Sequence, residues 1–289
     1  MKKKSNTTGN IINNILLVFI GLVTLYPFIY VLSTSISSSD ALVNGRVFLL
    51  PKGFSLSAFK RMLDDKNLWM GFKNSVIYTF IGTICCVAAT LITAYPLAQK
   101  NGFEKYSKPF MKMVIFTMYF SGGMIPTFLL VKNLGMLDTF WSIFVPSIIT
   151  PFQLIIAKTF IEGIPTSICE SAKIDGANEI QIFARIIVPL SLPIIAVLCL
   201  YNLTGVWNEF RAPMLYINSQ DKYPLQVFVR EIVLKAQMID RGMFDKNSGF
   251  NSETIKAATL VVTTIPVLIV YPLIQRYLVS GITVGAVKE

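Results

Sequence analysis

The chain has 289 residues, of which 53% are apolar, only 15% are charged and none is histidine. Its mean hydropathy is +0.59. A soluble domain carries about 25% charged residues, so this composition argues against a soluble enzyme, a fibrous protein and a disordered chain. The net charge of +10 is spread between apolar runs, and we expect it to face anionic lipid headgroups rather than nucleic acid.

Six apolar stretches are long enough to cross a bilayer, which takes about 20 helical residues each. We therefore predict an all-α membrane domain over residues 15–278. The first stretch follows a basic segment and has a signal peptide as its alternative, but its apolar core is longer than the usual range of about 7–15 residues. We expect it to remain as an anchor. The predicted spans are residues 15–36, 75–98, 113–131, 140–161, 190–206 and 257–278.

The charge pattern predicts that both termini lie in the cytoplasm. Short basic segments mark the inner ends of spans, and six spans place residues 1–14 and the tail 279–289 on that side. The outer segments 37–74 and 207–256 are also basic, but long loops follow this rule poorly. The basic residues that carry the signal are Lys2, Lys3, Lys4, Lys100, Lys105, Lys108 and Lys112.

The outer segment 207–256 contains an apolar pattern of helical period. Leu225, Phe228, Val229 and Ile232 recur on one face of residues 224–239. This pattern predicts an amphipathic helix that lies on the membrane or docks a partner, followed by a polar loop over residues 240–252. Gly and Pro also interrupt several spans, which is compatible either with ordinary kinks or with helices that line a pathway.

The chain lacks the residues that most catalytic chemistry needs. Without histidine, a histidine-activated serine and an H-E-x-x-H zinc site are both impossible. The predicted spans contain few ionisable side chains, and no G-x-x-x-x-G-K-[ST] phosphate loop occurs. If the protein is a pump, its energy must come from another chain. We interpret the four cysteines, Cys85, Cys86, Cys169 and Cys199, as small apolar packing residues.

The most informative segment connects the fourth and fifth spans, over residues 163–190. Pro165 suits the start of a helix, and Gly176 suits a helix stop or a sharp turn. Beyond this glycine, a second amphipathic helix is predicted from the apolar positions Ala177, Ile180, Ala184 and Ile187. Two short helices joined by an elbow would form a compact knob that could pass a rigid-body motion to the membrane helices.

This segment resembles the EAA motif of ABC importer permeases, whose usual form is E-A-A-x-x-D-G-A followed by I/L-x-L-P after nine residues. Ser171 stands where the family usually has alanine, and the tail ends in Glu289 where the family usually closes in glycine. The chain looks most like the carbohydrate-uptake class of MalG-like permeases, of the LplC/YtcP type. The matching positions are Glu170-Ser171-Ala172, Asp175-Gly176-Ala177, Gln181, Phe183, Ile186 and Pro189-Leu190 in the motif, with Asn74-Ser75, Trp207 to Phe210, Gln275 to Tyr277, Gly281 and Gly285 to Lys288 elsewhere.

The resemblance implies a six-span MetI-like (type I) permease bundle with a cytoplasmic coupling helix. It also implies a heterodimer with a second homologous permease, two ATPase subunits that bind ATP and magnesium, and an extracellular binding protein that delivers an oligosaccharide. Each elbow would insert into an ATPase cleft, and segment 207–256 would dock the binding protein. The chain itself would be non-catalytic and without cofactor. The implied coupling residues are Glu170, Ser171, Ala172, Asp175, Gly176 and Ala177.

The sugar would meet aromatic and polar side chains near the middle of the membrane, for which the candidates are Tyr119, Asn202, Trp207 and Asn208. Two alternatives stay open. A permease of the same fold could carry an amino acid or a peptide, and an ion-coupled secondary carrier would work without any ATPase. The sequence does not identify the sugar, its linkage, the partner permease or the ATPase.

Overall fold

The structure is a computed structural model that describes residues 7–45, 47–99, 104–240 and 252–286. Within these ranges the chain forms helices, turns and short irregular segments, without β-strands. Several sequence predictions fall outside the described residues. These are residues 1–6 of the N-terminal segment, with Lys2 to Lys4, together with Lys100, residues 241–251 of the polar loop and residues 287–289 of the tail.

Fifteen α-helices cover most of the described chain. Short 3-10 turns at Val145–Ser147 and Gln220–Lys222 and a π-helical segment at Phe183–Ile187 accompany them. The helices are α1 (Thr7–Ser35), α2 (Ser39–Val43), α3 (Ser57–Leu63), α4 (Lys66–Ala98), α5 (Glu104–Tyr119), α6 (Met124–Asn133), α7 (Trp141–Phe144), α8 (Pro151–Glu162), α9 (Thr166–Ile174), α10 (Glu179–Ile182), α11 (Val188–Leu190), α12 (Leu192–Trp207), α13 (Arg211–Tyr216), α14 (Leu225–Asp240) and α15 (Ser252–Ala286).

The described residues fall into two compact units. One contains the chain up to Trp69 together with Phe228–Pro266, and the other contains Met70–Val227 with the chain from Val267 onward. The predicted coupling segment and all four candidate substrate residues belong to the second unit. The candidate functional site therefore lies within the second unit.

In the part of the chain that the structure describes, two helices are long and apolar enough to cross a membrane unbroken, namely α1 over Ile11–Ser35 and α4 over Lys66–Ala98. Three further pairs qualify only if each bent pair forms one span. The bends are 117° between α5 and α6, 58° between the α7 segment and α8, and 78° between the α10–α11 segment and α12. The sixth predicted stretch, residues 257–278, lies within α15.

The third and fourth predicted stretches therefore differ from single straight helices. The third is split because Gly122 and Gly123 separate α5 from α6, and Gly123 adopts a φ of +87° that a helix interior does not allow. The fourth is interrupted before Pro151, which begins α8 because its ring suits a first helical turn. At the fifth stretch, the 78° bend at Ser191 separates the membrane-crossing α12 from the preceding segment.

The core of the second unit lies where α4, α8, α10 and α12 pack together. Its most buried members are small or branched apolar side chains, which allow close helix approach without a polar cost. They include Ala94, Leu154, Ala157, Ile182 and Leu198, each with no exposed surface.

Helix α14 forms where the apolar pattern predicts it, but the predicted docking face is not free. Leu225, Phe228 and Val229 are 0%, 5% and 8% exposed. Because these side chains already pack within the protein, this face of the helix does not serve as a membrane or partner surface.

Candidate functional site

The elbow between α9 and α10 closes through backbone hydrogen bonds. The N–H of Ala177 donates to the carbonyl of Ala172 at 2.9 Å, and the N–H of Gly176 donates to Lys173 at 3.1 Å. Gly176 has a φ of +83°, in the left-handed region that favours glycine. The elbow predicted at Gly176 is therefore present, and glycine is needed there because of its backbone conformation.

Residues Asn178 and Gln181 fix the start of the helix that follows the elbow. The side chain of Asn178 accepts from the N–H of Gln181 at 2.8 Å, and the side chain of Gln181 accepts from the N–H of Asn178 at 3.0 Å. This reciprocal pair satisfies two backbone donors that a helix start leaves free. It holds α10 in a fixed direction immediately after the turn.

The candidate coupling residues divide into two groups by exposure. Glu170, Ser171 and Asp175 are exposed, whereas Ala172 and Ala177 are half-buried and pack against the core of the second unit. The elbow thus presents polar side chains outward while its alanines attach it to the membrane helices.

Two exposed isoleucines on the elbow were not predicted. Ile174 is 86% exposed and Ile180 is 78% exposed. The predicted apolar stripe is wrong for Ile180 and Ala184, which are exposed. The π-helical segment at Phe183–Ile187 changes the register of the residues from Phe183 onward, including Ala184. Ile187 is buried as predicted, and the other buried side chain on this stretch is Ile182, which was not part of the predicted stripe.

A polar cluster joins the elbow to the end of α4. Glu179 accepts hydrogen bonds from the Tyr95 hydroxyl at 2.7 Å and from Gln99 Nε2 at 2.9 Å, and it pairs with Lys173 Nζ at 2.6 Å. We call Tyr95, Gln99, Lys173 and Glu179 the inner clasp, because the predicted orientation places them on the cytoplasmic side. No local sequence pattern indicates this cluster, because its members come from three separate elements.

The inner clasp holds its carboxylate in the charged form. The hydrogen bond from Lys173, followed by those from Tyr95 and Gln99, lowers the pKa of Glu179 to about 2. In the same region, burial raises the pKa of the Cys169 thiol, in keeping with a packing role for this cysteine.

A second polar cluster surrounds Asp138, in the turn between α6 and α7. Its carboxylate accepts from the backbone N–H groups of Asn218 and Ser219 at 3.0 and 2.9 Å, and from Ser219 Oγ at 2.7 Å. Lys222 Nζ pairs with the same carboxylate at 2.6 Å. The bonds from Lys222 and then Ser219 hold the pKa of Asp138 well below its usual range.

The first half of α4 binds the same segment of chain. Asn74 Nδ2 donates to the carbonyls of Asp221 and Tyr223 at 2.7 and 3.0 Å, and the Tyr78 hydroxyl donates to the carbonyl of Lys222 at 2.9 Å. We call Asn74, Tyr78, Asp138, Ser219 and Lys222 the outer clasp. The sequence analysis noted only Asn74, as part of the family resemblance.

The four candidate substrate residues occupy different environments. Asn202 is 7% exposed, donates to Gln153 Oε1 at 2.7 Å, and lines a cavity of about 190 Å³ together with Gln153, Tyr201 and Glu209. Trp207 is buried edge-on against Phe72, with ring centroids 6.0 Å apart.

The other two candidates are exposed. Asn208 donates to the carbonyl of Thr204 at 2.9 Å, and Tyr119 is 79% exposed at the end of α5. Of the four, Asn202 is the one among the lining residues of that cavity. The described residues contain no group of three or more side chains suited to hold a metal ion.

The sequence profile of the family described as "Binding-protein-dependent transport system inner membrane component" matches residues 87–284, more than half of the chain. The match covers both clasps except Asn74 and Tyr78, and it includes the whole elbow.

Two curated relatives from Bacillus subtilis (strain 168) are similar along nearly their whole length. The polygalacturonan/rhamnogalacturonan transport system permease protein YtcP is 41% identical over 99% of both chains. Protein LplC is 38% identical over 99% of this chain and 96% of its own. Among solved structures, a bacterial ABC transporter involved in the import of the acidic polysaccharide alginate matches with a TM-score of 0.83. It is 33% identical and covers 96% of this chain and 99% of its own.

Proposed function

The chain belongs to the family of binding-protein-dependent transport system inner membrane components, and from this membership we infer that it is the permease subunit of an ABC importer for oligosaccharides. The observation that carries the inference is similarity over the full length. A sugar permease is 41% identical over 99% of the chain, and an alginate importer with a TM-score of 0.83 covers 96% of it, so nearly the whole fold is matched. The predicted fold class, an all-α type I importer permease, is confirmed by the same match.

The elbow is the part of this chain through which ATP hydrolysis by a partner subunit would act on the permease. We assign the exposed Glu170, Ser171 and Asp175 to contact with a partner ATPase, with Glu170 facing a basic residue of that subunit. Gly176 sets the turn, while Ala172 and Ala177 attach the elbow to the core. This arrangement supports transfer of rigid-body motion, because an elbow closed by backbone bonds and a capping box resists deformation.

We propose partners of the kind that the family resemblance implies. A second homologous permease would complete a heterodimer around the path, and two ATPase subunits would bind ATP and Mg²⁺ and perform the hydrolysis. This chain would be non-catalytic. An extracellular binding protein would deliver the sugar, for which segment 207–256 remains the proposed docking region. The N- and C-termini are proposed to lie in the cytoplasm, so that the elbow faces the ATPases.

The cavity beside Asn202 is the proposed contact of this chain with the sugar. Asn202 and Gln153 offer amide groups that can donate and accept, and Tyr201 adds an aromatic ring to the lining. Hydroxyl-rich ligands are recognised by such paired amides and aromatic surfaces. We also propose contact with the sugar for Trp207 at the end of α12 and for Asn208 directly after it. Tyr119 at the end of α5 is a further proposed contact.

The test is purification of the chain from its native membrane in mild detergent, followed by mass spectrometry and reconstitution into liposomes. We expect a second permease, a P-loop ATPase and a binding protein, together with uptake of oligogalacturonides that requires ATP. Uptake of amino acids or peptides would instead support the alternative substrate. Recovery of the chain alone, with uptake that collapses with an ion gradient but not with ATP depletion, would overturn the assignment.

A further inference from the structure

Helix α4 is held by polar clusters at two levels, and one of them contacts the elbow. We propose that Glu179 is a positioning residue that fastens α4 to the elbow, so that α4 carries displacement between the elbow and the outer clasp. The proposal rests on the proposed function and adds to it a residue and a route within this chain. Lys173 and Glu179 fall at variable positions of the EAA motif, and the other residues of the two clasps lie outside it.

The attachment of α4 to the elbow combines polar and aromatic contacts. Tyr95 is 9% exposed, and its ring packs on Phe183 with centroids 5.3 Å apart. Its hydroxyl donates to Glu179, which precedes Phe183 by one helical turn. Glu179 also pairs with Lys173 on α9. A displacement of α9 and α10 therefore acts on α4 through the carboxylate of Glu179 as well as through the ring contact.

The other attachment fixes α4 to the segment that leads into α14. Besides the bonds of Asn74 and Tyr78 to backbone carbonyls, Ser75 Oγ accepts from the N–H of Leu225 at 2.8 Å. This segment also carries the groups that bind Asp138. It belongs to residues 207–256, where we propose that the binding protein docks.

Between the two attachments, α4 is an unbroken helix. Tyr78 and Tyr95 are separated by about 26 Å along the axis at a rise of about 1.5 Å per residue, close to the thickness of the hydrocarbon core. The proline inside α4 is Pro96, which follows Tyr95. The stretch of α4 from Tyr78 to Tyr95 therefore contains no proline. A packed, unbroken helix moves as a rigid element, which makes α4 suited to transmit motion across the membrane.

Glu179 is the member of the inner clasp on which the other three converge. Its two carboxylate oxygens accept from a phenol, an amide and an ammonium group on α4 and α9. Within the described residues Tyr95 and Gln99 bond to Glu179 and not to Lys173, so removal of Glu179 would take away this polar link and leave the ring contact of Tyr95 with Phe183 in place. Bonds to an ionised acceptor are stronger than neutral ones, which explains an acidic residue at this position.

The experiment uses the reconstituted importer complex with its binding protein loaded with oligogalacturonides. Glu179→Ala removes every acceptor, Glu179→Gln keeps one carbonyl oxygen for Tyr95, and Tyr95→Phe removes the hydroxyl but keeps the ring on Phe183. The matched control is Glu162→Gln, because Glu162 pairs with Lys158 within the same helix and links no two elements. Basal ATP hydrolysis, its stimulation by the loaded binding protein, and sugar uptake are measured for each.

We expect Glu179→Ala to lower binding-protein stimulation and uptake by about fivefold or more, the range of typical site-to-site coupling, with basal hydrolysis and complex yield retained. Glu179→Gln should be intermediate, and Tyr95→Phe should add little to Glu179→Ala because both remove the same contact. The control should match the wild type.

Equal stimulation in all variants would overturn the proposal, as would additive effects of Tyr95→Phe and Glu179→Ala. If Glu179→Ala lowers complex yield, Tyr95→Phe alone decides, since it leaves the packing intact. A wild-type complex without ATP-dependent uptake would instead contradict the proposed function, so the two failures are distinguishable.

Discussion

The two clasps hold the same helix but differ in the groups that α4 binds. At the outer clasp, Asn74 and Tyr78 donate hydrogen bonds to backbone carbonyls. The carboxylate of Asp138 accepts hydrogen bonds from backbone N–H groups. At the inner clasp, Tyr95 and Gln99 both donate to a single side chain, Glu179, which is about half exposed.

This difference indicates which end is fixed and which can adjust. Backbone groups cannot change partner without deforming the chain, whereas a half-exposed carboxylate can exchange a partner for water at little cost. We therefore interpret the outer clasp as a permanent joint and the inner clasp as a joint that can reset as the elbow moves. Four substitutions break or sharpen this comparison.

Gly176→Val should have the largest effect. A β-branched residue at a φ of +83° is strained, although its Cβ would meet nothing within 4 Å. We expect uptake to fall by about a hundredfold, toward the upper end of measured coupling, while ATP hydrolysis continues. Gly135→Val is the matched control, since Gly135 has a φ of +66° in similarly open space near the outer clasp. A comparable loss in the control would show that strain, rather than the elbow, matters.

Asp138→Asn should weaken the outer clasp. This weakening should be more permanent than the effect that a substitution at the inner clasp has on the inner clasp. The variant loses the ion pair with Lys222 and weakens the bonds from Asn218 and Ser219. We expect these two backbone amides to exchange hydrogen about tenfold faster, because local opening sets their protection. Hydrogen exchange followed by mass spectrometry measures this, and unchanged protection would contradict a role for the carboxylate.

Acid should release the inner clasp only at very low pH. A carboxyl whose pKa is lowered on folding contributes stability above its unfolded value, about 4.3 for glutamate, and this is lost as the pH falls toward about 2. The stability difference between the wild type and Glu179→Gln should therefore be constant above pH of about 4.5 and shrink below it. Thermal unfolding of the purified complex across this pH range provides the measurement. A stability difference between the wild type and Glu179→Gln that grows on acidification would contradict the prediction.

Glu162→Gln should have the smallest effect. Its pair with Lys158 is partly exposed and lies within α8, so we expect a loss of about 0.5 kcal/mol or less in the free energy of unfolding. Uptake should be unchanged. A loss of uptake as large as that of Glu179→Ala would mean that any carboxylate near the inner end of the spans matters.

Much of the coupling segment could be predicted from the sequence, because its signals are local. Pro165, Gly176 and the Asn178–Gln181 capping box act within a few residues of themselves. The helical pattern of α14 is equally local. Its burial was not predictable, since an apolar stripe looks the same whether it faces lipid, a partner or the protein's own core.

The candidate substrate residues show the same limit. Asn202 was chosen as a polar residue in an apolar span, and the structure places it in a cavity beside Gln153. Trp207 was chosen as an aromatic side chain that could meet the sugar, but it packs on Phe72. Nothing in the sequence distinguishes these outcomes, because the partners lie 49 residues away for Asn202 and on α4 for Trp207.

By itself, the sequence determined the membrane class, the positions of the apolar stretches, the elbow at Gly176 and the family, because each depends on composition or on short spacing. The tertiary structure decided the breaks within the third and fourth stretches, the register after the π-helical turn, and above all the two clasps. Glu179 and Tyr95 are 84 residues apart in the chain. Their contact exists because α4 packs beside the elbow, and only the folded chain brings such distant groups within hydrogen-bonding distance.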